Sequence, residues 1–352
     1  MSHNCVLTVI VPAFDMEAWL DGCLSSVAPR TGEQLPPYEV VVVNDGSRDR
    51  TSEIAHEWQR CHPEIFRVID KANGHYGSCI NAALAKAAGM YVKVLDADDV
   101  FDHAIFVEYL EFLAKLAARS DVPDVVVNDE EWVTADGTSV NVRRYGLPDE
   151  FDRTRLLVCA PTITIHALAY RTDLLRQMGY RQTEGIPYTD TEWFTLPMAQ
   201  VRTGVYFGRA LYRYRIQRPG QSIEAAAYVR DVDALVKVFD RLRADYLEGK
   251  ATRVAVCNAY LLEQLKRLAL LIGSVCLFNL PSTRTQEVLA PFLEKVSADL
   301  PEVLAALDAA RVFNWSPLPL RHLRFWRRHP RLRRPLNALL RAYVRLLPSY
   351  RG

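Results

Sequence analysis

The sequence has no C-x-x-C pair, and its seven cysteines are odd in number and widely spaced. This argues against a disulfide framework and against a cysteine zinc site, so a reducing cytoplasm is the simplest compartment. The longest apolar run, residues 268–280, is shorter than the roughly 20 residues that a membrane-spanning helix needs. Residues 6–11 are apolar but end at Pro12, without the charged-then-apolar pattern of a signal peptide. We therefore expect neither a signal peptide nor a transmembrane helix.

Acidic residues are absent from residues 311–352, which contain eleven arginines and no lysine. The rest of the chain has 32 basic and 42 acidic residues, a net charge of −10 that the overall +1 conceals. Leucines and aromatic residues alternate with the arginines, and residues 336–347 are predicted to form an amphipathic helix. Such a tail suits the anionic inner face of a membrane, and the alternative is that its basic face packs on the acidic body. No motif supports nucleic acid binding, so none is expected.

The first 128 residues alternate between patterns of strand and helix. Tyr38–Asn44 contains four consecutive valines, and the neighbouring strand candidates are also rich in apolar residues. Largely apolar strands separated by helices predict a parallel sheet that is covered on both faces. Ligands bind such sheets beyond the carboxyl ends of the strands. Three polar segments, residues 12–15, 44–47 and 96–99, are therefore expected to converge at one edge.

After residue 128 the pattern changes to a mixed region and then to helices. A hairpin is expected around Gly137, and Pro291 and Pro301 are expected in the first turns of two helices. Strands are also predicted at residues 162–170, 204–207 and 211–215, a short helix at residues 172–178, and helices throughout residues 231–310.

Three carboxylates, Asp96, Asp98 and Asp99, follow the predicted strand at residues 91–95. Like charges this close repel and would raise one another's pKa, so the arrangement favours a bound cation. Mg²⁺ or Mn²⁺ suits hard oxygen ligands and usually binds a phosphate as well. The alternative is a solvated acidic turn in which Asp99 or Asp102 caps the next helix. This stretch alone does not decide between them.

The chain resembles family 2 glycosyltransferases with the GT-A fold, through four motifs: V-I-V-P-A-F-D, V-V-V-N-D-G-S, N-G-H-Y-G-S and V-K-V-L-D-A-D-D. The resemblance covers about residues 6–222. It implies an α/β fold with a Rossmann-like, mostly parallel sheet flanked by helices, and a helical C-terminal extension. It also implies a nucleotide-sugar donor and inversion at the sugar carbon, as in enzymes of bacterial cell-surface polysaccharide assembly.

This resemblance gives the expected division of the chain. The glycosyltransferase domain is residues 1–225, the helical extension is residues 226–310, and the basic amphipathic tail is residues 311–352. Within the domain, residues 1–128 form the nucleotide-binding half and residues 129–225 form the acceptor half.

From this resemblance, ten residues are expected to contact the donor. Among them, Asp45 would accept a hydrogen bond from the nucleobase, typically uracil, because a carboxylate suits a ring N–H. The alternative for Asp45 is a cap of an Asx turn. The alternative for Phe14 is a place in the core, and the alternative for Arg218 is a solvated loop. The chain departs from the family pattern at Asp15 and Asn44, where Asn and Asp are commoner. The ten residues are Pro12, Ala13, Phe14, Asp45, Asn73, Gly74, Asn81, Asp96, Ala97 and Arg218.

The segment Asp96-Ala97-Asp98 matches the DxD motif of the family. This implies that Asp98 ligates Mg²⁺ or Mn²⁺ and that Asp96 contacts the ribose or the metal. The metal would neutralise the leaving nucleoside diphosphate.

Asp190 occupies the position of the general base in the family, which removes the proton of the acceptor hydroxyl. Thr189 replaces the usual Glu beside it, and Glu192 is the second candidate for the base. Capping of a helix is the alternative role for Asp190.

The expected function is therefore metal-dependent transfer of a sugar, from a UDP-sugar, to a hydroxyl of a glycan or lipid-linked acceptor. A sugar-nucleotidyltransferase is one alternative, but it normally needs a Gly-rich loop with Lys or Arg, and residues 12–15 have neither Gly nor Lys. A non-catalytic nucleotide-sugar-binding protein is the other alternative. Loss of Asp98 or Asp190 would favour it, and both are present.

Overall fold

The computed structural model describes residues 5–159, 163–216, 225–310 and 321–345. The chain divides into two compact units, Met1–Pro219 and Gly220–Gly352. The first unit contains a ten-stranded sheet with helices, whereas the described part of the second unit is helical.

In the first unit, strands and helices mostly alternate along the chain. The strands are β1 (Leu7–Ala13), β2 (Tyr38–Asn44), β3 (Phe66–Asp70), β4 (Tyr91–Val94), β5 (Val100–Phe101), β6 (Val125–Val133), β7 (Ser139–Arg143), β8 (Glu150–Asp152), β9 (Leu168–Arg171) and β10 (Thr203–Arg215). The helices are α1 (Leu20–Val27), α2 (Thr51–Cys61), α3 (His75–Leu84), α4 (His103–Ala117), α5 (Arg153–Cys159), α6 (Thr172–Gln177) and α7 (Asp190–Thr195).

The strand order is β3-β2-β1-β4-β9-β6-β10-β5, with β7 paired to β6 and β8 paired to β10. The four strands β1 to β4 are parallel to one another, as expected from their apolar character. β9 differs because it runs antiparallel between β4 and β6, so the sheet as a whole is mixed. Three of the four β9 residues are buried, and a short apolar strand carries no sequence signal of its direction.

Two predictions after residue 160 differ from the structure. The strand predicted at residues 162–170 is a 3-10 turn at Ile165–Ala167 followed by β9, and residue 162 lies outside the described residues. The two late strands are a single strand, β10, whose register against β6 shifts between Phe207 and Ala210. This irregularity interrupts the apolar pattern without ending the strand. The hairpin around Gly137 is confirmed by the antiparallel pairing of β6 and β7.

The sheet places the ends of its first strands along one edge. Every residue of β2 is buried, which is typical of a parallel strand with helices on both faces. At the carboxyl ends, Ala13 pairs with Asn44 and Asn44 pairs with Asp70. On the other side of β1, Ile10 pairs with Val94, the last residue of β4. The polar segments that follow these strands therefore start beside one another.

Asp102 is the residue that caps α4, because its Oδ1 accepts a hydrogen bond from the backbone N–H of Ile105 at 3.2 Å. Asp99, the other candidate from the sequence, does not cap this helix.

Replacement of Asp102 by Ala should lower the free energy of unfolding by about 1 kcal/mol, because the backbone N–H at the start of α4 loses its acceptor. Asp102→Asn keeps an acceptor oxygen and should lose less. Urea unfolding followed by circular dichroism measures both. Equal losses in the two variants would indicate that the ion pair with Arg213, at 3.6 Å, matters more than the cap.

The second unit consists of helices in its described residues. Pro301 is the first residue of its helix, as predicted, whereas Pro291 lies inside a helix that already begins at Ser282. None of the helices in the described parts of the chain has the length and apolar character that crossing a bilayer requires. The helices are α8 (Ala225–Arg230), α9 (Val232–Gly249), α10 (Ala255–Phe278), α11 (Ser282–Asp299), α12 (Pro301–Ala309), α13 (His322–Arg328) and α14 (Arg333–Arg345).

The described part of the Arg-rich tail packs within this helical unit. Trp326 of α13 is almost completely buried, and the guanidinium of Arg333 lies 4.2 Å from the centre of its ring. Arg327 pairs with Asp308 of α12. The side-chain amide of Asn337 donates to the carbonyl of Leu277 in α10 at 2.7 Å. The amphipathic helix predicted at residues 336–347 is present as α14, as far as the described residues extend.

Candidate active site

The three polar segments lie at the carboxyl edge of the sheet, as the topology predicts. The backbone N–H of Asp45 donates to the carbonyl of Ala13 at 2.8 Å, so the segment after β2 is joined to the end of β1. Leu95, the residue before Asp96, donates to the carbonyl of Ile10 on the other side of β1, at 2.9 Å. Asp45 and Asp96 therefore follow the two strands that flank β1.

Asp45 is buried and held by two donors. Its Oδ1 accepts hydrogen bonds from the Lys71 ammonium at 2.6 Å and from the backbone N–H of Gly74 at 3.0 Å. The Ser78 hydroxyl, which donates to the carbonyl of His75 at 2.7 Å, lies 3.4 Å from the same oxygen. Gly46 has a positive φ of 75°, and a Cβ there would lie 3.0 Å from the backbone nitrogen of Asn73. The turn that carries Asp45 thus lies directly against the loop before α3.

The two departures from the family pattern have structural roles in these turns. Asn44 donates from its side-chain amide to Asp70 at 2.7 Å and accepts from the backbone N–H of Ser47 at 3.1 Å. Asp15 adopts a positive φ of 52°, and its carboxylate accepts from the backbone N–H of Arg48 at 2.8 Å. Asp is among the residues that tolerate this left-handed conformation.

The acidic turn after β4 places Asp99 in the interior. Its carboxylate accepts from the Tyr212 hydroxyl and from the backbone N–H of Arg215, both at 2.7 Å. Burial, together with the charge of Asp98, raises the pKa of Asp99 well above its usual range. The guanidinium of Arg215 donates to the backbone carbonyl of Asp98 at 2.8 Å. Asp99 therefore joins the acidic turn to the end of β10.

His166 is a site residue that the sequence analysis did not single out. Its Nε2 lies 3.5 Å from Oδ2 of Asp96, and its Nδ1 lies 3.7 Å from Oε2 of Glu130. The ring stacks on Tyr212 and Tyr214, with centroid distances of 4.3 and 4.9 Å. Burial alone would lower the pKa of His166, but pairing with the two carboxylates raises it to about 10. In the absence of a metal, the imidazole is therefore a cation at neutral pH.

Glu130 fixes the other side of this imidazole. Its side chain is fully buried and accepts from the Thr164 hydroxyl at 2.5 Å and from the Arg143 guanidinium at 3.4 Å. Burial opposes ionisation, but the contact with His166 and these two donors lower the pKa of Glu130 to about 2. Glu130 is therefore a carboxylate at neutral pH and holds Nδ1 of His166 in place.

Lys93 of β4 is fully buried and contacts the backbone of the same histidine. Its ammonium donates to the side-chain carbonyl of Asn128 and to the backbone carbonyl of His166, both at 2.7 Å. Burial lowers the pKa of Lys93 to about 7, although the charge of Glu130 acts in the opposite direction. Lys93 thus fixes the backbone at His166, and Glu130 fixes its ring.

Asp96, Asp99 and His166 form the group of possible metal ligands in the described residues, with ligand atoms within 4.8 Å of one another. Carboxylate and imidazole donors suit Mn²⁺, and Mg²⁺ prefers the oxygens. A carboxylate at the second ring nitrogen, as Glu130 provides here, is the usual partner of a metal-bound histidine. The donors therefore fit a divalent cation. Asp98, the ligand that the DxD resemblance implies, is not in this group, and its role stays a prediction.

Asp190 is the first residue of α7, and Thr189 occupies the position before the helix. Burial and then the charge of Asp96 raise the pKa of Asp190, which means that the two carboxylates interact. Glu192, the second candidate for the base, is fully buried and accepts from the backbone N–H of Thr183 at 2.8 Å. Glu192 therefore holds the segment before α7, and the role of Asp190 as the general base stays a prediction.

The loop before α3 and the segment before α7 are joined to each other. Asn81 of α3 donates to the carbonyl of Gln182 at 2.8 Å and accepts from its backbone N–H at 2.9 Å. The carbonyl of Gly74 accepts from the N–H of Gly185 at 2.8 Å. A Cβ on Gly77 would lie only 2.0 Å from the Thr183 carbonyl oxygen, so this contact needs glycine. The structure thus gives Asn81 a role in positioning the Asp190 segment.

The other predicted donor-binding residues that the structure describes lie around the same edge. Pro12 and Ala13 end β1, and Phe14 follows with 36% of its surface exposed. Ala97 is buried. Asn73 lies beside Gly46 and is exposed, and Arg218 lies outside the described residues.

The family described as "Glycosyl transferase family 2" matches residues 8–179, which contain nearly all of β1, then β2 to β4 and the acidic turn. These residues form a family 2 glycosyltransferase domain.

Three bacterial relatives match different lengths of this chain. It is 35% identical over 101 residues to the uncharacterized glycosyltransferase EpsJ of Bacillus subtilis, a match that covers 29% of this chain and 28% of EpsJ. It is 24% identical to the uncharacterized glycosyltransferase YibD of Escherichia coli, over 70% of this chain and 74% of YibD. It is also 24% identical to the minor teichoic acid biosynthesis protein GgaB of Bacillus subtilis, over 63% of this chain and 24% of GgaB. The chain therefore matches less than a third of EpsJ and of GgaB.

Two solved structures are similar in fold. One is TarS 1-349 of S. aureus in complex with UDP-GlcNAc, with a TM-score of 0.65, 18% identity, and coverage of 97% of this chain and 91% of that one. The other is the mannosyltransferase PcManGT of Pyrobaculum calidifontis in complex with GDP-Man and Mn²⁺, with a TM-score of 0.50 and 18% identity, over 96% and 87% of the two chains. The predicted GT-A fold with a helical C-terminal region is confirmed, and so is the class of enzyme.

Proposed function

We propose that this glycosyltransferase moves a sugar from a UDP-sugar to a hydroxyl of a glycan or lipid-linked acceptor, with inversion and with Mg²⁺ or Mn²⁺. The observation that supports it best is the joint placement of three carboxylates. Asp45 and Asp96 follow the strands that flank β1, and Asp190 interacts electrostatically with Asp96. This arrangement supports Asp45 as the contact to the nucleobase, Asp96 as the group on the diphosphate side and Asp190 as the group on the acceptor side.

Asp96 and its neighbours would hold the cation. The geometry favours Asp99 and His166 as its partners, and the DxD resemblance adds Asp98. When bound, the cation would offer positive charge to the diphosphate that leaves. Tyr76 donates from its hydroxyl to Oδ1 of Asp96 at 3.0 Å and so orients this carboxylate.

Asp190 is proposed as the general base that takes the proton of the acceptor hydroxyl. A base works best when its pKa is near the working pH, and the pKa of Asp190 is shifted upward, in that direction. Attack of the hydroxyl oxygen from the side opposite the diphosphate would invert the sugar carbon.

A membrane surface is the proposed place of the acceptor. GgaB, one of the relatives, is a teichoic acid biosynthesis protein, which supports a cell-surface glycan as the product. Leu332 and Leu339 of the tail are exposed, as are several arginines near them. Exposed arginines and leucines together suit the anionic inner face of a membrane. These arginines are Arg321, Arg328, Arg331 and Arg334.

Incubation with UDP-, GDP- and dTDP-sugars tests the reaction, with release of the nucleoside diphosphate as the readout and water or an added glycan as acceptor. We expect release from a UDP-sugar to need Mg²⁺ or Mn²⁺ and to fall about 10²-fold or more in EDTA, because the leaving diphosphate loses its counter-charge. Addition of Mn²⁺ should restore it. Release of pyrophosphate would indicate a nucleotidyltransferase, and donor binding without turnover would indicate a binding protein.

A further inference from the structure

A cavity of about 320 Å³ lies in the first unit, outside the candidate active site. Its volume is within the range of sites that bind small molecules, which is about 300–1,000 Å³. None of its described lining residues belongs to the proposed donor, metal or base groups. Charged side chains of both signs line it, and they are Asp102, Asp129, Glu131, Arg144, Arg209 and Arg213.

The cavity lies on the face of the sheet opposite to the possible metal ligands. Successive side chains of a strand point to opposite faces. In β6, Glu130 contacts His166. Its neighbours Asp129 and Glu131 therefore lie on the other face. The ion pair of Glu131 with Arg213 of β10, at 2.8 Å, is on that face too. The cavity is therefore separate from the metal group.

An irregularity of β10 forms one side of this cavity. The register of β10 against β6 shifts between Phe207 and Ala210. The two residues between them, Gly208 and Arg209, have no partner residue on β6, and both line the cavity. Bulges of this kind bend a strand and redirect its side chains, and they are frequent beside functional sites. The regular pairing of β10 is thus interrupted where the cavity lies.

Asp129 and Glu131 each keep one carboxylate oxygen for a ligand. Asp129 is only 2% exposed, and its Oδ1 accepts from the Tyr206 hydroxyl at 2.6 Å and from the backbone N–H of Tyr145 at 3.0 Å. Glu131 accepts from Arg213 through Oε2. The second oxygen of each carboxylate accepts no hydrogen bond from the described residues. Because the first oxygen holds each carboxylate in place, the second is available in a fixed position.

The arginines supply donors beside these acceptors. Arg209 pairs with Glu108 of α4 at 2.5 Å, and Arg213 pairs with Glu131. Arg144 is exposed and has no ion pair or hydrogen bond with the described residues. A guanidinium has five N–H donors, so each arginine keeps donors for a ligand. Three carboxylates and three guanidinium groups give the lining a formal charge of zero.

We propose that this cavity binds a neutral sugar unit of the acceptor glycan, away from the hydroxyl that reacts. This rests on the proposed function, in which the acceptor is a glycan. A ligand with one charge meets three lining groups of the same sign, whereas hydroxyl groups donate and accept and so use both kinds of lining group. Sugar hydroxyls donate to the available oxygens of Asp129 and Glu131 and accept from Arg144. A second bound unit of the same glycan strengthens binding of the whole acceptor.

Saturation-transfer NMR of the full chain tests this proposal, with UDP and Mg²⁺ present to occupy the donor site. The neutral probes are the methyl glycosides of glucose, galactose and N-acetylglucosamine. Methyl glucuronide is the anionic probe, and methyl glucosaminide is the cationic one. We expect at least one neutral glycoside to bind, and to bind more tightly than both charged glycosides. Tighter binding of either charged glycoside, or no binding of any neutral one, would overturn the proposal.

Three variants locate the bound sugar. Arg144→Met removes donors at the cavity, so the dissociation constant of the neutral glycoside should rise at least about threefold. Ala210→Leu fills part of the cavity and should change the constant in the same direction. Arg155→Met removes the same charge as Arg144→Met from an exposed position of α5 and should leave the constant unchanged. A constant in Arg144→Met equal to that of the wild type would place the sugar elsewhere and overturn the proposal.

Release of nucleoside diphosphate by the unaltered protein separates this proposal from the proposed function. Release without a sugar bound at the cavity overturns the proposal alone, because no group of the proposed reaction lies there. Absence of release from every nucleotide sugar overturns the proposed function, and sugar binding at the cavity is then still decided by the NMR measurement.

Discussion

Asp190→Asn is expected to reduce sugar transfer by about 10²–10⁴-fold and to change the dissociation constant of the donor by less than about threefold. The amide keeps the shape of the side chain but cannot take the proton of the acceptor hydroxyl. In the proposed function, donor binding depends on the strand ends around Asp45 and Asp96, and this change leaves both residues in place. Steady-state rates and calorimetric titration of UDP separate the two quantities.

The pH profile gives an independent test of Asp190. Burial and the charge of Asp96 raise the pKa of Asp190, and the base must be unprotonated to act. The rate should therefore fall as the pH decreases through this raised pKa, at higher pH than an exposed aspartate would give. The residual activity of Asp190→Asn should not show this fall in rate as the pH decreases.

Glu192→Gln is the matched control, because it makes the same change from acid to amide two residues away. Glu192 accepts a hydrogen bond from the backbone of Thr183, so its substitution should lower thermal stability while keeping the rate within about tenfold. The assignment of the base would be wrong if Glu192→Gln abolished transfer in a folded protein and Asp190→Asn did not.

Much of the sheet can be predicted because its signals are local. Tyr38–Asn44 is a strand in the structure with the predicted bounds, since an unbroken apolar run is compatible with burial on both faces. The order of parallel strands then brings Asp45 and Asp96 to one edge, and no further information is needed. The nucleotide-binding motifs therefore give the fold and the position of the site together.

The parts that could not be predicted depend on contacts between distant residues. His166 is a lone histidine in an apolar stretch, and its role depends on Glu130 of β6 and Tyr212 of β10, which only the folded sheet brings near it. Asp99 belongs to the acidic motif, but Tyr212 and Arg215 decide that it points inward. One feature of the sequence did indicate polar groups in this region: Lys93 is a charged residue within an otherwise apolar strand. A buried lysine needs polar partners nearby, and His166 supplies one of them.

Lys93 and His166 should give this protein opposite pH dependences of stability. Burial lowers the pKa of Lys93 from its ordinary 10.5 to about 7. Between these values the unfolded chain binds a proton that the folded chain does not, so stability rises with pH. For His166, burial acts downward, but its carboxylate partners raise the pKa from 6.5 to about 10. Between those values the folded chain holds the extra proton, so stability is full below pH 6.5 and falls as the pH rises through 10.

Substitution of either residue should leave the pH dependence of stability that the other residue contributes. One pKa unit corresponds to about 1.4 kcal/mol, so each shift amounts to a few kcal/mol, and in the wild type the two oppose each other across nearly the same pH range. Relative to the wild type, Lys93→Met should lose stability as the pH is raised from 6.5 to 10. His166→Gln should gain stability over the same range. Urea unfolding midpoints of metal-free protein at several pH values measure both slopes.

The comparison with the wild type at each pH matters because other groups also titrate in this range, and their contributions cancel in the difference. Lys93→Met also leaves Asn128 and the carbonyl of His166 without a donor, which lowers stability by an amount that does not depend on pH. The sign of the slope therefore carries the test. The stability of Lys115→Met should change with pH as that of the wild type does, because Lys115 is exposed on α4. If the stability of Lys93→Met also changes with pH as that of the wild type does, Lys93 keeps an ordinary pKa in the folded protein. Lys93 and His166 would then not have opposite effects on the pH dependence of stability.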